Sequence, residues 1–231
     1  DTILVQGIVQ AMDGEVELEA AGGVFVGGNL YNSSGPAGVV GSGTNRVSVT
    51  TTGLNSDIIV RGGNMMSQPS LILSGTGHVS ITSGRDVIVQ GDTDSSSASI
   101  SAPLGGVIVS AARDVLVLGG AGNMAEAGIL SAGNAGLRVD AGRDLIMLGG
   151  GTNSGSEIFA REDAIVNVGG NISAASGASG AAVLLSTFDQ GSLRITASGN
   201  IMALGTNSDA VNFLVPLGNG GLSIWAGGNI S

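Results

Sequence analysis

The stretch Gly-Arg-Asp-Val-Ile-Val at residues 84–89 decides the fold, because versions of it return along the whole chain. Their common element is an Asp or Asn, usually after Gly or Arg, followed by an aliphatic residue. Eight copies are centred on Asn29, Asp57, Asp86, Asp114, Asp144, Asn171, Asn200 and Asn229. Successive copies lie 28, 29, 28, 30, 27, 29 and 29 residues apart. A spacing this regular indicates a repeat architecture.

Each repeat holds about three short segments with the composition of β-strands. In one repeat they cover residues 137–140, 145–148 and 157–160, with Gly, Ser or Asn in the intervening turns. No segment has helical periodicity with caps. The sequence therefore predicts an all-β fold, a right-handed parallel β-helix (β-solenoid) of about eight coils of about 29 residues, with three short strands per coil. Stacked at about 4.8 Å, the coils would form a rod roughly 38 Å long.

The repeat runs through the chain without a break in composition or a charged linker. Residues 1–231 are therefore predicted to form one continuous solenoid array. Neither end carries an evident polar or helical cap, so we expect both ends to be uncapped. An uncapped end exposes backbone groups that can pair with a neighbouring molecule.

Composition excludes several kinds of partner. The formal net charge is −10 and all eight basic residues are Arg, so an acidic surface disfavours nucleic acid. No uninterrupted apolar run reaches the roughly 18 residues of a spanning helix, which argues against membrane insertion. The chain has no Cys, which excludes disulfides and thiolate metal sites. We expect no cofactor.

The repeated Asp and Asn residues are expected to form a structural ladder at one corner of the solenoid. Both residue types favour turns, and the Gly that often precedes them supplies a tight bend. Four Asp residues in register would repel by about 3 kcal/mol per neighbouring pair at an effective dielectric near 20. Arg85, Arg113 and Arg143 each precede one of them and could serve as counter-charges, whereas Asp57 lacks such an Arg. The alternative is a calcium site, but half of the ladder is neutral or flanked by Arg. We expect no metal ligand.

A second pattern is apolar. Strand alternation sends neighbouring residues to opposite faces, yet the strands that follow the ladder are apolar at both sets of positions. Such strands are normally covered on both faces. We therefore expect an association stripe that packs against another chain, formed by Ile59, Ile88, Leu116, Leu118, Ile146, Leu148, Met202 and Leu204. The alternative is coverage by the loops that follow residues 91, 119 and 149.

Candidate catalytic residues are weak. Glu15, Glu17 and Glu19 alternate with apolar residues and should share one strand face, where clustered acids could serve acid/base chemistry. A solvated strand face blunted by charge is the commoner outcome. His78 is the only His and has no nucleophile near it in sequence. We expect no catalytic residue, although a groove with two or three acids on adjacent coils would favour an enzyme.

The phrases at residues 84–89, 170–174 and 198–204 resemble the repeats of bacterial filamentous-haemagglutinin-like large exoproteins. The resemblance covers most of the chain and implies a secreted, right-handed parallel β-helix that acts as a surface adhesin or stalk. It also implies a location outside the cell or on its surface, and a cell-surface or polysaccharide ligand. The repeat here is longer than is usual in that family.

These observations predict a non-enzymatic extracellular structural protein. It would form part of an adhesin-like surface exoprotein, or stack end to end and associate laterally into a filament. The alternative is a polysaccharide-processing β-helix enzyme, a lyase or a glycoside hydrolase.

Overall fold

The structure, a computed structural model, describes residues 1–27, 37–41, 46–63, 69–93, 95–177, 183–205, 214–216 and 219–231, with residue 184 and residues 214–216 described by their backbone. The described residues form strands, turns and bends and no helix. Consequently, no described helix is long and apolar enough to cross a membrane. The strands, in chain order, are β1 (Ile3–Val5), β2 (Ile8–Ala11), β3 (Val16–Ala20), β4 (Val24–Gly27), β5 (Ala37–Gly41), β6 (Val47–Thr51), β7 (Ile58–Arg61), β8 (Ser70–Ser74), β9 (Val79–Ser83), β10 (Val87–Gln90), β11 (Ala98–Ala102), β12 (Val107–Ala111), β13 (Val115–Leu118), β14 (Ala127–Ser131), β15 (Leu137–Ala141), β16 (Leu145–Leu148), β17 (Ser156–Ala160), β18 (Ala164–Val168), β19 (Ile172–Ala175), β20 (Val183–Thr187), β21 (Leu193–Ala197), β22 (Ile201–Leu204), β23 (Leu214–Pro216) and β24 (Leu222–Ala226).

Every third strand belongs to the same sheet. Sheet A starts from β1, sheet B from β2 and sheet C from β3, and each described sheet has eight strands. Neighbouring strands are parallel in every sheet; for example, Val87 of β10 lies between Ile58 of β7 and Val115 of β13. The chain therefore winds through A, B and C once per turn, as a parallel β-solenoid with three strands in each turn.

The regular period covers about six turns, slightly fewer than the eight predicted. From Ile58 to Ile230, the first residues of the sheet A strands are paired at steps of 27 to 30 residues. The two earlier pairs, Ile3 with Val24 and Val24 with Ile58, are 21 and 34 residues apart.

The first step is short because only residues 6–7 connect β1 to β2, whereas residues 119–126 make that connection two turns after β7. The second step is long partly because residues 52–57 connect β6 to β7, where three residues suffice in later turns.

The core consists of rows of aliphatic side chains that stack along the solenoid axis. In sheet A, the first and third residues of each strand point inward: Val87 and Val89 are fully buried, as are Leu145 and Met147. Sheets B and C add similar rows, such as Ile100, Ile129 and Ile158. Burying one such side chain contributes about 1.5–3 kcal/mol. Because inward residues repeat in every turn, the alternate residues form outward rows of equal regularity.

Candidate functional site: an ionic corner, an apolar face and an acidic groove

The corner between sheets C and A holds a continuous ladder of side-chain acceptors. The Oδ1 atom of each ladder residue accepts a hydrogen bond from the backbone N–H of the ladder residue one turn later. From Asp57 to Asp144, the donor–acceptor distances are 3.2, 3.1 and 3.1 Å. They are 2.8, 2.9 and 2.8 Å for the bonds to Asn171, Asn200 and Asn229. The ladder thus satisfies backbone donors that the turn would otherwise leave without a partner.

An Arg binds each of the first three carboxylates, and it comes from the following turn. Arg113 donates from Nε to Asp86 Oδ1 at 2.8 Å and from Nη2 to Oδ2 of the same carboxylate. Arg85 binds Asp57, and Arg143 binds Asp114, in the same two-point manner. Two-point Arg–carboxylate pairs are stronger and more directional than single hydrogen bonds.

This arrangement changes the expected partners of the Arg residues. Each Arg binds the Asp of the preceding turn, so Asp57 does have a cation, namely Arg85. The Nε atom of Arg113 is also only 3.4 Å from the carboxylate of Asp114, the next residue in sequence. Cations and carboxylates therefore alternate along the ladder, which offsets the repulsion between stacked carboxylates.

The ladder changes from Asp to Asn where the Arg residues stop. Gly170 occupies the position of Arg143 in the next turn, so Asp144 receives no guanidinium from that turn. Instead, Asn171 donates to Asp144 Oδ1 from both its backbone N–H and its side-chain Nδ2, the latter at 3.2 Å. Asn200 binds Asn171 in the same way. A neutral amide supplies both an acceptor and a donor, so it needs no counter-charge.

The ladder does not extend to Asn29 as predicted. Val24 pairs with Ile58, so Gly23 occupies the ladder position that corresponds to Asp57. Asn29 itself lies outside the described residues. The prediction failed because it assumed equal turns, whereas the connections around the second turn are longer.

Burial shapes the electrostatics of the ladder. Asp86 and Asp114 are each only 4% exposed. Burial alone would raise the pKa of Asp114. Hydrogen bonds from Arg143 and from the backbone of Asp144, together with the charges of Arg143 and Arg113, nevertheless lower this pKa below its ordinary value. These carboxylates are therefore held ionised by partners within the fold.

A second, interrupted ladder occupies the corner between sheets B and C, which the sequence analysis missed. Gly106 donates its N–H to His78 Nδ1 at 3.0 Å, and Ser192 donates its N–H to Asp163 Oδ1 at 2.8 Å. Between these pairs the position is Gly106 and then Gly136, which lack side-chain acceptors. The exposed His78 is thus a corner acceptor. The spacing of polar residues directly before the sheet C strands was the available signal.

The predicted association stripe lies on the outer face of sheet A. Ile59, Ile88, Leu116 and Ile146 form one row along neighbouring strands, and Ser173 interrupts this row before Met202. A second row contains Leu118, Leu148 and Leu204. None of these eight stripe residues is buried, and the exposed fraction reaches 41% at Leu148 and 56% at Leu204.

The connections from sheet A to sheet B do not bury the stripe in three central turns. The structure describes residues 91–97 without 94, and the whole of 119–126 and 149–155. These connections stack on one another: Ser95 N–H donates to Asn123 O at 2.8 Å, and Met124 N–H donates to Thr152 O at 3.2 Å. They extend the wall of the solenoid and leave Leu116 half-buried.

A groove of about 290 Å³ lies on the outer face of sheet B. Ser99, Gly128 and Glu157 are neighbours on three successive strands, and the missing side chain of Gly128 opens the space between the other two. Glu126 lines the same groove from the preceding turn. Burial raises the pKa of Glu157, and the nearby charge of Glu126 raises it further. Within the described part of the chain, the Glu157 carboxylate has no hydrogen-bond or ion-pair partner.

The other candidate acids lie apart from this groove. Glu17 and Glu19 project outward from β3 and are exposed, and Glu15 is exposed directly before that strand. Among the residues that the structure describes, no three imidazole, thiol or carboxylate side chains are grouped so that they could hold a metal ion. The chain matches no protein-family model, no curated protein and no solved structure.

Proposed function

We propose that this protein is an extracellular structural β-solenoid, a rod that associates laterally through the outer face of sheet A. The observation that carries the proposal is the outer row of Ile88, Leu116 and Ile146, which is apolar and left unburied by the connections of its own turns. Exposed apolar surface of this extent marks an interaction site or an aggregation hazard. The resemblance to adhesin-like exoproteins supports a surface location and a right-handed winding.

The ionic corner supports a mechanical role. Its acidic and basic side chains are engaged with one another and with backbone N–H groups of neighbouring turns. These charges therefore stiffen the stack instead of forming a reactive cluster. An array held by repeated contacts between adjacent turns has the properties of a spacer or stalk.

Light scattering of the purified chain against concentration tests the association. We expect the weight-average mass to rise above the chain mass of 22.4 kDa. Leu116→Asp should return it to the monomer value, because the substitution places a charge in the middle of the apolar row. Ile108→Asp is the matched control: this residue is apolar, outward and 48% exposed, but it lies on sheet C. A wild-type chain that stays monomeric throughout would contradict the proposal.

A polysaccharide-processing enzyme is the second candidate, and the sheet B groove favours it. Glu126 and Glu157 lie on adjacent turns, and a carboxyl with a raised pKa can act as a general acid. The test is the release of reducing ends from a panel of polysaccharides. The structural proposal predicts no release above that of the Glu157→Gln variant. Release that Glu157→Gln abolishes and Glu17→Gln leaves intact would establish the enzyme instead.

A further inference from the structure

We propose that two copies of the chain pair through sheet A with their rods parallel and in register, related by a two-fold axis along the rods. Each turn then faces the same turn of the partner. This inference rests on the proposed lateral association and adds the identity of the partner and its orientation.

The repeat of the face selects a second copy as the occupant. Outward side chains of sheet A recur in every strand, at the strand spacing of about 4.8 Å. A partner fills the gaps between such side chains in every turn only if its own side chains recur at that spacing. An identical solenoid meets this condition along the whole face, as in the tight packing of stacked identical sheets. Leu116 and Leu118 supply the two outward side chains in the central turn.

The two edges of the face differ in charge. Along the edge where the strands begin, the side chains of Arg85, Arg113 and Arg143 are 34%, 43% and 56% exposed. The carboxylates of Asp86 and Asp114 are only 6% and 5% exposed beneath them. This edge therefore presents guanidinium groups to its surroundings.

The edge where the strands end is uncharged in the central turns. Residues 119–124 and 149–155 contain Gly, Ala, Met, Thr, Ser and Asn and no charged residue. The side-chain amide of Asn153 donates to Asn123 Oδ1 at 3.3 Å, which continues the stacking on the surface. Amide oxygens and hydroxyl groups at this edge can accept hydrogen bonds from guanidinium groups.

Symmetry converts this difference into an orientation. Two identical faces can meet about a two-fold axis along the strands or about one along the rod. An axis along the strands makes the rods antiparallel and brings the Arg edge of one copy against the Arg edge of the other. An axis along the rod brings the Arg edge against the amide edge, and it also keeps each turn level with its counterpart. Like-charge repulsion disfavours the first arrangement.

The parallel arrangement predicts which side chains meet. The axis runs between the two outward rows, so Leu116 of one copy faces Leu118 of the other, and Ile146 faces Leu148 in the next turn. In the antiparallel arrangement, Leu116 would instead face a residue of its own row in a different turn, such as Ile88 or Ile146.

Cysteine cross-linking tests the pairing without background, because the chain has no Cys. Leu116→Cys protein is mixed with Leu118→Cys protein, and in parallel with Ile88→Cys or Ile146→Cys protein. Each mixture is oxidised mildly, and the disulfide-linked peptides are identified by mass spectrometry. Ile108→Cys mixed with Ser110→Cys, two outward positions of one sheet C strand, gives the rate of random collision.

We expect the 116–118 cross-link to dominate and the pairs between different turns to stay at the collision rate. Dominant cross-links between different turns would overturn the parallel register, and so would collision-rate cross-linking of every sheet A pair in a sample whose scattering mass has doubled. In both results lateral association survives. A mass that stays monomeric would remove the proposed association as well. Circular dichroism of each variant verifies that it is folded.

Discussion

Arg113 lies between two aspartates of neighbouring turns: it binds the carboxylate of Asp86 in the preceding turn at two points, and its Nε atom is 3.4 Å from Asp114. The same unit recurs at Arg85 and Arg143. A residue that follows Gly or Ala in a short turn thereby links one coil to the coil before it. The charges of this corner are consequently part of the stacking contact between turns.

Removing one of these guanidinium groups should weaken the stack. Arg113→Gln leaves the buried Asp86 carboxylate without its strongest partner, and an uncompensated buried charge is destabilising. Arg138→Gln is the control, because Arg138 and Asp140 form an exposed pair on one strand of sheet C. Thermal unfolding should show a clearly lower midpoint for Arg113→Gln than for Arg138→Gln. Equal midpoints would mean that the corner pairs add no stability beyond that of surface pairs.

Asp114 should make stability depend on pH. Its folded-state pKa is lowered, so its ionised form stabilises the fold above the ordinary value of 3.8, and this stability is lost as the pH falls through the lowered pKa. Asp114→Asn should therefore reduce the free energy of unfolding in urea at pH 6 and approach the wild-type value at pH 3 and below. Asp13→Asn, at an exposed turn, controls for the lost negative charge. A difference that stays constant with pH would contradict this assignment.

The change from Asp to Asn along the ladder can be tested directly. Asn171→Asp removes the amide that donates to Asp144 and places a second carboxylate beside it, with Gly170 where an Arg would be needed. We expect a loss of roughly 1–3 kcal/mol at neutral pH, recovered in part in acid. Asn200→Asp is the control, because its ladder neighbours Asn171 and Asn229 are neutral. Chemical unfolding of both variants should rank Asn171→Asp as the less stable protein.

Glu157 should have the opposite pH dependence. Burial and the charge of Glu126 raise its folded-state pKa above the ordinary 4.5. Its contribution to stability is therefore fully present below pH 4.5 and is lost as the pH rises through the raised pKa. Glu157→Gln should be more stable than wild type at pH 7 and equal to it at pH 4. If Glu157→Gln and the exposed Glu17→Gln behave alike at pH 7, the groove does not penalise a charge.

The sequence predicted the features that repeat in every turn and missed those that depend on the register. The period of the Asp and Asn residues predicted three strands per turn, and strand alternation predicted the outward position of Leu116. Asn29 was misplaced because the connections around the second turn are longer, so Gly23 takes the ladder position. The 28-residue reach of Arg85 back to Asp57 was hidden, because Asp86 is the closer residue in sequence.

The acidic groove could not be predicted for a related reason. Glu126 and Glu157 are 31 residues apart, close to the period, but one precedes a strand and the other lies within the next strand of the sheet. The groove between them exists because Gly128 has no side chain and stands in register with Ser99 and Glu157. Such a juxtaposition depends on the exact pairing of sheet B. It also required the length of each connection to be known.

Light scattering against concentration, with wild type, Leu116→Asp and Ile108→Asp measured side by side, tests the central claim most directly. The account predicts a mass above 22.4 kDa that rises with concentration for wild type and for Ile108→Asp, and a constant monomer mass for Leu116→Asp. A wild-type mass that remains at the monomer value over the whole range would contradict it, as would equal association of all three proteins.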